Sequence, residues 1–399
     1  MLRTLLLAFV VAQATAGACS ATTGTTTTAT TTTTTGPTLN MQSIVVNAGP
    51  ANNYFNGAFT SVLVCVPGQS ACQLIDGVLV DTGSSGLRVL ASALTLSLPQ
   101  QADAAGAPTV ECNEFVDGIT WGPIQMADVK LAGEVASNVP IQVIGSPAFS
   151  TIPKACSNVG PVENTLATLG ANGILGVSVF RQDCGQGCTI SGSANPGVYY
   201  ACPASGCVVT TQALTRQVQN PVWLFPADNN GVMIQLPVLP PGGALTATGA
   251  LVFGIGTQAD NALGSARVMT VDQVGNFTTT FNGVSYATSF IDSGSNGVFF
   301  LDTATTLLPV CADSKDFYCP PTLRTLTAIN RGVNAATSTV TFNVGNADTL
   351  NGRFSAFNEV AGPFPGSFDW GLSFFFGRTI FTAIEGQSTP GGTGPYWAY

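Results

Sequence analysis

Gln73-Leu74-Ile75-Asp76-Gly77-Val78-Leu79-Val80-Asp81-Thr82-Gly83-Ser84-Ser85-Gly86-Leu87 and Tyr286-Ala287-Thr288-Ser289-Phe290-Ile291-Asp292-Ser293-Gly294-Ser295-Asn296-Gly297-Val298 repeat one pattern. Each is an apolar strand that runs into Asp-Thr/Ser-Gly-Ser. The two Asp stand about 210 residues apart, roughly the length of one domain, so the repeat is a duplicated unit rather than a short solenoid period. A chain of two related lobes follows, with 41–240 carrying Asp81 and 241–399 carrying Asp292.

The rest of the composition agrees with a strand-rich protein. Hydrophobic residues make up 45% of the 399 residues and charged residues only 8%, against about 25% in an average soluble protein. Thr, Ser, Asn, Gln and Gly must therefore cover the surface. With 45 Gly and 24 Pro punctuating short runs rich in Val, Thr and Phe, the fold reads as mostly β. The net charge is −9 with 12 Lys plus Arg, too few cations for a stripe that would neutralise a phosphate backbone, so nucleic acid is excluded as a partner. There is no His. Ser-His and Cys-His nucleophiles and His-ligated metals all need an imidazole, and those mechanisms drop out.

The N-terminus is an address. Arg3 precedes the apolar run Leu5 to Ala12, too short to cross a bilayer and laid out as a secretory signal over 1–18. Two processing readings compete. Ala14-Thr15-Ala16 fits a small-residue cleavage site, whereas Ala16-Gly17-Ala18-Cys19 resembles a bacterial lipoprotein box that would lipidate Cys19 and tether the chain to a membrane. Residues 19–40 are mostly Thr and read as a disordered spacer.

Eleven Cys bear on the same choice. Lipidation of Cys19 leaves ten, enough for five disulfides in an oxidising space. Cys65 and Cys72 flank a hairpin turn, and Cys311 and Cys319 close a short loop. Cys184, Cys188, Cys202 and Cys207 superficially have the grouping of a four-thiolate zinc site, but export favours two disulfides with the partners left open. No metal and no cofactor is expected.

Two buried acids in matching loops have a chemical use. Carboxylates within a few Å cannot both ionise comfortably, so they share a proton and titrate in two separated steps. The ionised partner can activate a water while the protonated one donates to a carbonyl, which is general acid-base hydrolysis without a covalent intermediate. Pepsin works with such a dyad, and the chain resembles the pepsin-like aspartic proteases along almost all of its mature length. Gly173-Ile174-Leu175-Gly176-Val177 is similar to the family's apolar-apolar-Gly segment behind the first Asp. Leu251 to Gly256 resembles the opening of the second lobe, and Asp369-Trp370-Gly371 with Leu372 to Arg378 takes the place of the matching segment there.

The resemblance implies a bilobal acid-protease fold with a cleft between β-barrel-like lobes. It implies Asp81 and Asp292 as the catalytic pair, Gly83 and Gly294 shaping the turns, Thr82 and Ser293 interlocking the loops, and Ser84 and Ser295 bonding the outer carboxylate oxygens. A peptide or protein would be the substrate, the protein a monomer, and its place the periplasm, cell surface or medium. With the lipoprotein-like box, the sequence reads as an exported bacterial branch of that superfamily.

Two family features are replaced. The Trp expected after the first motif is Arg88. The hairpin flap falls in 112–130, with Phe115, Val116, Asp117 and Gly118 at its tip and no Tyr. Arg88 near the carboxylates would lower their pKa or recognise an anionic group; paired with a structural acid such as Asp117 it would only hold the fold. These replacements motivate the alternative of a catalytically silent scaffold serving as an exported binding or surface module. A glycoside hydrolase, which also uses two carboxylates, has no need of paired Asp-Thr/Ser-Gly loops.

Overall fold

The computed structural model describes residues 40–399. The signal segment, Cys19 and most of the Thr-rich spacer lie outside the described residues.

Val78-Leu79-Val80 are apolar on both faces of the chain, which suits a strand flanked on either side. Cys72–Asp81 accordingly lies between Gly57–Cys65, antiparallel, and Gly173–Val177, parallel, with Val80 opposite Leu175 and Asp81 opposite Gly176. The chain then turns at Thr82 to Ser84 and returns as Ser85–Leu90, antiparallel to Gly173–Val177 and parallel to Glu134–Ile144. The second motif builds the same figure. Val284–Ile291 pairs with Phe277–Phe281 antiparallel and with Phe364–Trp370 parallel, and Val298–Leu301 returns antiparallel to Phe364–Trp370.

These figures belong to two sheets. A 15-stranded sheet carries the first motif and continues through Met41–Asn47, Ala247–Phe253, Gly231–Gln235, Thr379–Ala383, Tyr396–Ala398 and Val268–Thr270. A seven-stranded sheet carries the second motif. Helices are minor: each α-helix among the described residues is four residues long. None is long and apolar enough to cross a membrane.

One buried cluster runs through both motifs. Around the first it is aliphatic, with Val62, Val64, Val80, Val89 and Leu175 all buried; around the second it is built of rings, with Phe300 stacked on Phe368 at 5.2 Å and Trp370 against Phe374 at 5.1 Å. The run Phe374-Phe375-Phe376 is buried inside this core rather than presented to a membrane. Trp121 is core as well, edge-on to Tyr200, with its indole N–H donated to the Phe149 carbonyl.

Five disulfides close the ten described Cys: Cys65–Cys72, Cys112–Cys156, Cys184–Cys188, Cys202–Cys207 and Cys311–Cys319. The four clustered Cys therefore pair with near neighbours in sequence, and their sulfurs are not thiolate ligands. Cys311 and Cys319 also approach Asp348 in a metal-like grouping, but the two sulfurs are bonded to each other.

Candidate active site

Each Asp stands at the buried end of a strand whose following turn supplies its hydrogen bonds. Asp81 Oδ1 accepts from the Gly83 N–H at 2.7 Å and the Ser84 N–H at 3.2 Å, and Ser84 Oγ donates to its Oδ2. Asp292 Oδ1 accepts from the Gly294 N–H at 2.7 Å, and Ser295 Oγ lies 3.1 Å from its Oδ2.

Thr82 and Ser293 lock the loops to each other. Thr82 Oγ1 donates to the Ile291 carbonyl and accepts from the Ser293 N–H, while Ser293 Oγ donates to the Val80 carbonyl and accepts from the Thr82 N–H. All four groups are buried, so each hydroxyl satisfies one donor and one acceptor that water does not reach.

Glycine makes the approach of the acids sterically allowed. A Cβ at Gly83 would lie 2.6 to 2.8 Å from the Asp292 carboxyl, and one at Gly294 would lie 2.8 to 2.9 Å from that of Asp81. The turn of each lobe thus leaves room for the acid of the other. Loss of hydration, then the charge of Asp81, then that of Asp369, push the Asp292 carboxyl well above the ordinary carboxylate range. A hydrogen bond with Asp81 acts in the same direction.

A hairpin forms in the segment read as the flap. Thr109–Glu114 and Ile119–Leu131 pair antiparallel, and Phe115 N–H donates to the Gly118 carbonyl across the tip. Asp117 is exposed at this tip; partial loss of hydration and the charge of Asp81 raise its pKa. Phe115 packs on the cluster of Leu90, Ile144 and Ile174.

Arg88 is not on the cleft surface. It is fully buried on the strand behind Asp81, and its guanidinium donates to Glu111 at 2.8 Å, Asp183 at 3.1 Å, Asn113 and the Ser85 carbonyl. Asp117 is not among these partners. The Tyr199 hydroxyl donates to Asp183 and accepts from the Val218 N–H. Burial first and Glu111 second raise Asp183, since one cation faces two acids.

Three site groups escape a reading of the motifs. Asp369 is buried and reaches Ser295 Oγ with its Oδ2 at 2.6 Å; burial and Asp81 push it up to about 8. Its signal in the sequence is the acid in Asp369-Trp370-Gly371 where the first half has Ile174-Leu175-Gly176. Tyr54 comes from the loop between Met41–Asn47 and Gly57–Cys65 and meets Phe59 edge-on at 5.5 Å. Burial, then the negative charges of Asp117, Asp292, Asp81 and Glu163, hold its phenol above the usual range, so a Tyr stands in the field of the two acids although the flap has none. Glu163 is raised to about 7 by lost hydration and by Asp117.

Two β lobes, each carrying Asp-Thr/Ser-Gly-Ser at the end of a strand, define the bilobal pepsin-like fold. The crystal structure of the aspartic proteinase from Irpex lacteus is similar, with a TM-score of 0.51 over 90% of this chain and 96% of that chain at 14% identity. At that identity the likeness speaks for the fold. The chain belongs to the family described as "Protein of unknown function (DUF3443)", whose model matches residues 36–399. No curated protein matches the sequence.

Proposed function

We propose that the chain is an aspartic endopeptidase in which Asp81 and Asp292 activate a water against a peptide carbonyl. The observation that carries this reading is the reciprocal fit of the loops: each glycine leaves space for the opposite carboxyl, and Thr82 and Ser293 tie the two strand ends together. Such a pair, with Asp292 raised, holds one proton between two acids. The ionised carboxylate takes a proton from water, and the neutral one donates to the scissile oxygen. A peptide would bind extended between the lobes, as a strand beside the flap.

The five disulfides support maturation in an oxidising space, and we infer an exported protein that acts as a monomer. Tethering through a lipidated Cys19 is part of this proposal.

The alternative, a silent scaffold that binds peptide without cutting it, is favoured by the flap tip, where Phe115 to Gly118 carry no Tyr. Cleavage of casein or a peptide library between pH 3 and 7 separates the readings. Activity in the wild type that disappears in Asp81→Asn and in Asp292→Asn supports the peptidase; equal inertness of all three chains overturns it.

A further inference from the structure

We propose that Asp369 is a third carboxyl of the catalytic array, a positioning residue that holds the Ser295 hydroxyl with a proton of its own and thereby directs that hydroxyl to Asp292. The proposal rests on reading Asp81 and Asp292 as the dyad.

Ser295 Oγ stands between two acids, 2.6 Å from Asp369 Oδ2 and 3.1 Å from Asp292 Oδ2. A hydroxyl has one proton to donate. Were both carboxyls ionised, one would face a serine lone pair in a buried site, at the cost of an unpaired charge. The contacts close when Asp369 is neutral: its O–H donates to Ser295 Oγ, and Ser295 donates to Asp292 Oδ2.

The surroundings of Asp369 favour that state. Its strand neighbours are Phe290 on one side and Phe299 on the other. Strand Val298–Leu301 and helix Leu372–Phe375 contain no titratable residue, and Val284–Ile291 contributes only Tyr286, which packs on Phe368. The charged groups that act on Asp369 are the acids Asp81 and Asp292. Its Oδ1 is buried without a hydrogen-bond partner, tolerable for the carbonyl of a neutral acid and costly for a carboxylate. The direction of its pKa, up to about 8, agrees.

The first lobe has no such group. Ser84 donates to Asp81, but the residue in the register of Asp369 is Ile174. The array therefore breaks the symmetry of the dyad. While Asp369 is neutral, the relay Asp369 to Ser295 to Asp292 gives Asp292 an outer hydrogen bond that works against the upward push of burial and Asp81. Once Asp369 ionises, Ser295 turns to the nearer oxygen, and Asp292 loses its outer hydrogen bond, gains a negative neighbour and holds its proton.

Carboxyl-carbon NMR titration of the mature chain, labelled at aspartate, tests this without turnover. In the wild type we expect, among the aspartates that stay neutral through pH 6, one whose resonance is absent from Asp369→Asn. Asn can still donate to Ser295, so Asp292 should titrate as in the wild type below pH 7 and lose the further upward displacement above pH 8. Asp369→Ile, which copies the first lobe, should raise the titration of Asp292 by about half a unit to one unit. An Asp369 that ionises below pH 5, or an Asp292 indifferent to Ile at 369, overturns the proposal. If Asp369→Ile does not fold, the resonance lost in Asp369→Asn decides. Where the wild type cleaves peptide, the alkaline limb of its kcat/KM profile should be steeper than that of Asp369→Asn. A chain that cleaves nothing sinks the peptidase reading and leaves the NMR outcome to judge the array.

Discussion

Arg88 and Glu111 form an ion pair at 2.8 Å with neither side chain exposed to solvent. A second acid, Asp183, shares the same guanidinium nitrogen at 3.1 Å, and the other nitrogen holds the carbonyl of Ser85, four residues beyond Asp81. The cation is thus the support beneath the turn that carries Asp81. Removing one partner of a buried pair leaves an uncompensated charge and costs about 3 to 5 kcal/mol. Arg88→Met should lower unfolding stability by that amount in urea. Arg88→Lys should recover less than half, because an ammonium on a flexible stem cannot reproduce the planar fork that reaches Ser85, Glu111, Asn113 and Asp183. A loss below about 1 kcal/mol for Met would show that the network is not holding the turn.

The interlock of Thr82 and Ser293 predicts a coupled loss. Thr82→Val and Ser293→Ala each strand a buried N–H and a buried carbonyl of the opposite lobe, at about 1 to 3 kcal/mol for each group left unsatisfied. The double variant should cost less than the two singles together, since either change already disrupts the shared contacts. Strict additivity in a double-mutant cycle would mean that the hydroxyls act independently.

How much of this was legible in the chain follows from distance along it. Val78 to Ser84 and Phe290 to Ser295 declare themselves because the strand, the acid, the turn glycine and the serine are consecutive, so one local pattern holds the whole constellation. Arg88 stood beside the motif, yet its partners lie 23 and 95 positions away, and nothing local selects Glu111 and Asp183 over Asp117. Asp369 belongs to the site through the register that sets it opposite Phe290, two residues before Asp292, as Ile174 is set opposite Leu79. Tyr54 sits in an irregular loop, where no periodicity tells which way a ring will point. The disulfides divide in the same way: Cys65–Cys72 and Cys311–Cys319 follow from short loops, whereas Cys112–Cys156 spans 44 positions and needs the fold.

Asp369 also governs stability against pH. Its folded pKa of about 8 lies above the unfolded value of 3.8, so between these values the native chain holds a proton that the unfolded chain has released. Stability therefore falls as pH rises through this window, and the loss is complete above pH 8. Asp292, raised in the same direction, adds to the slope. In Asp369→Asn the slope should flatten, and the stability difference between variant and wild type should move in favour of the variant by on the order of 5 kcal/mol between pH 4 and pH 8. Denaturant midpoints across that range measure it, and parallel curves for the two proteins would refute the assignment.

The turn glycines yield the sharpest separation of activity from folding. Gly83 has no left-handed backbone, so alanine there strains no dihedral; what it meets is the carboxyl of Asp292 at 2.6 to 2.8 Å, closer than a Cβ contact ever stands. Gly294 poses the same obstacle to Asp81 at 2.8 to 2.9 Å. Because Gly83 faces the open side of the turn, the displaced atoms are those of the acid rather than of the core. Gly83→Ala should therefore unfold within about 1 kcal/mol of the wild type and lose at least about 100-fold in kcat/KM, since a displacement of about 1 Å in a reacting group costs that much. Gly86 is the control: its φ of +99° and its contact with Val218 make alanine there a folding defect. Full cleavage by Gly83→Ala would mean that the two carboxyls need not stand as close as the interlocked loops hold them.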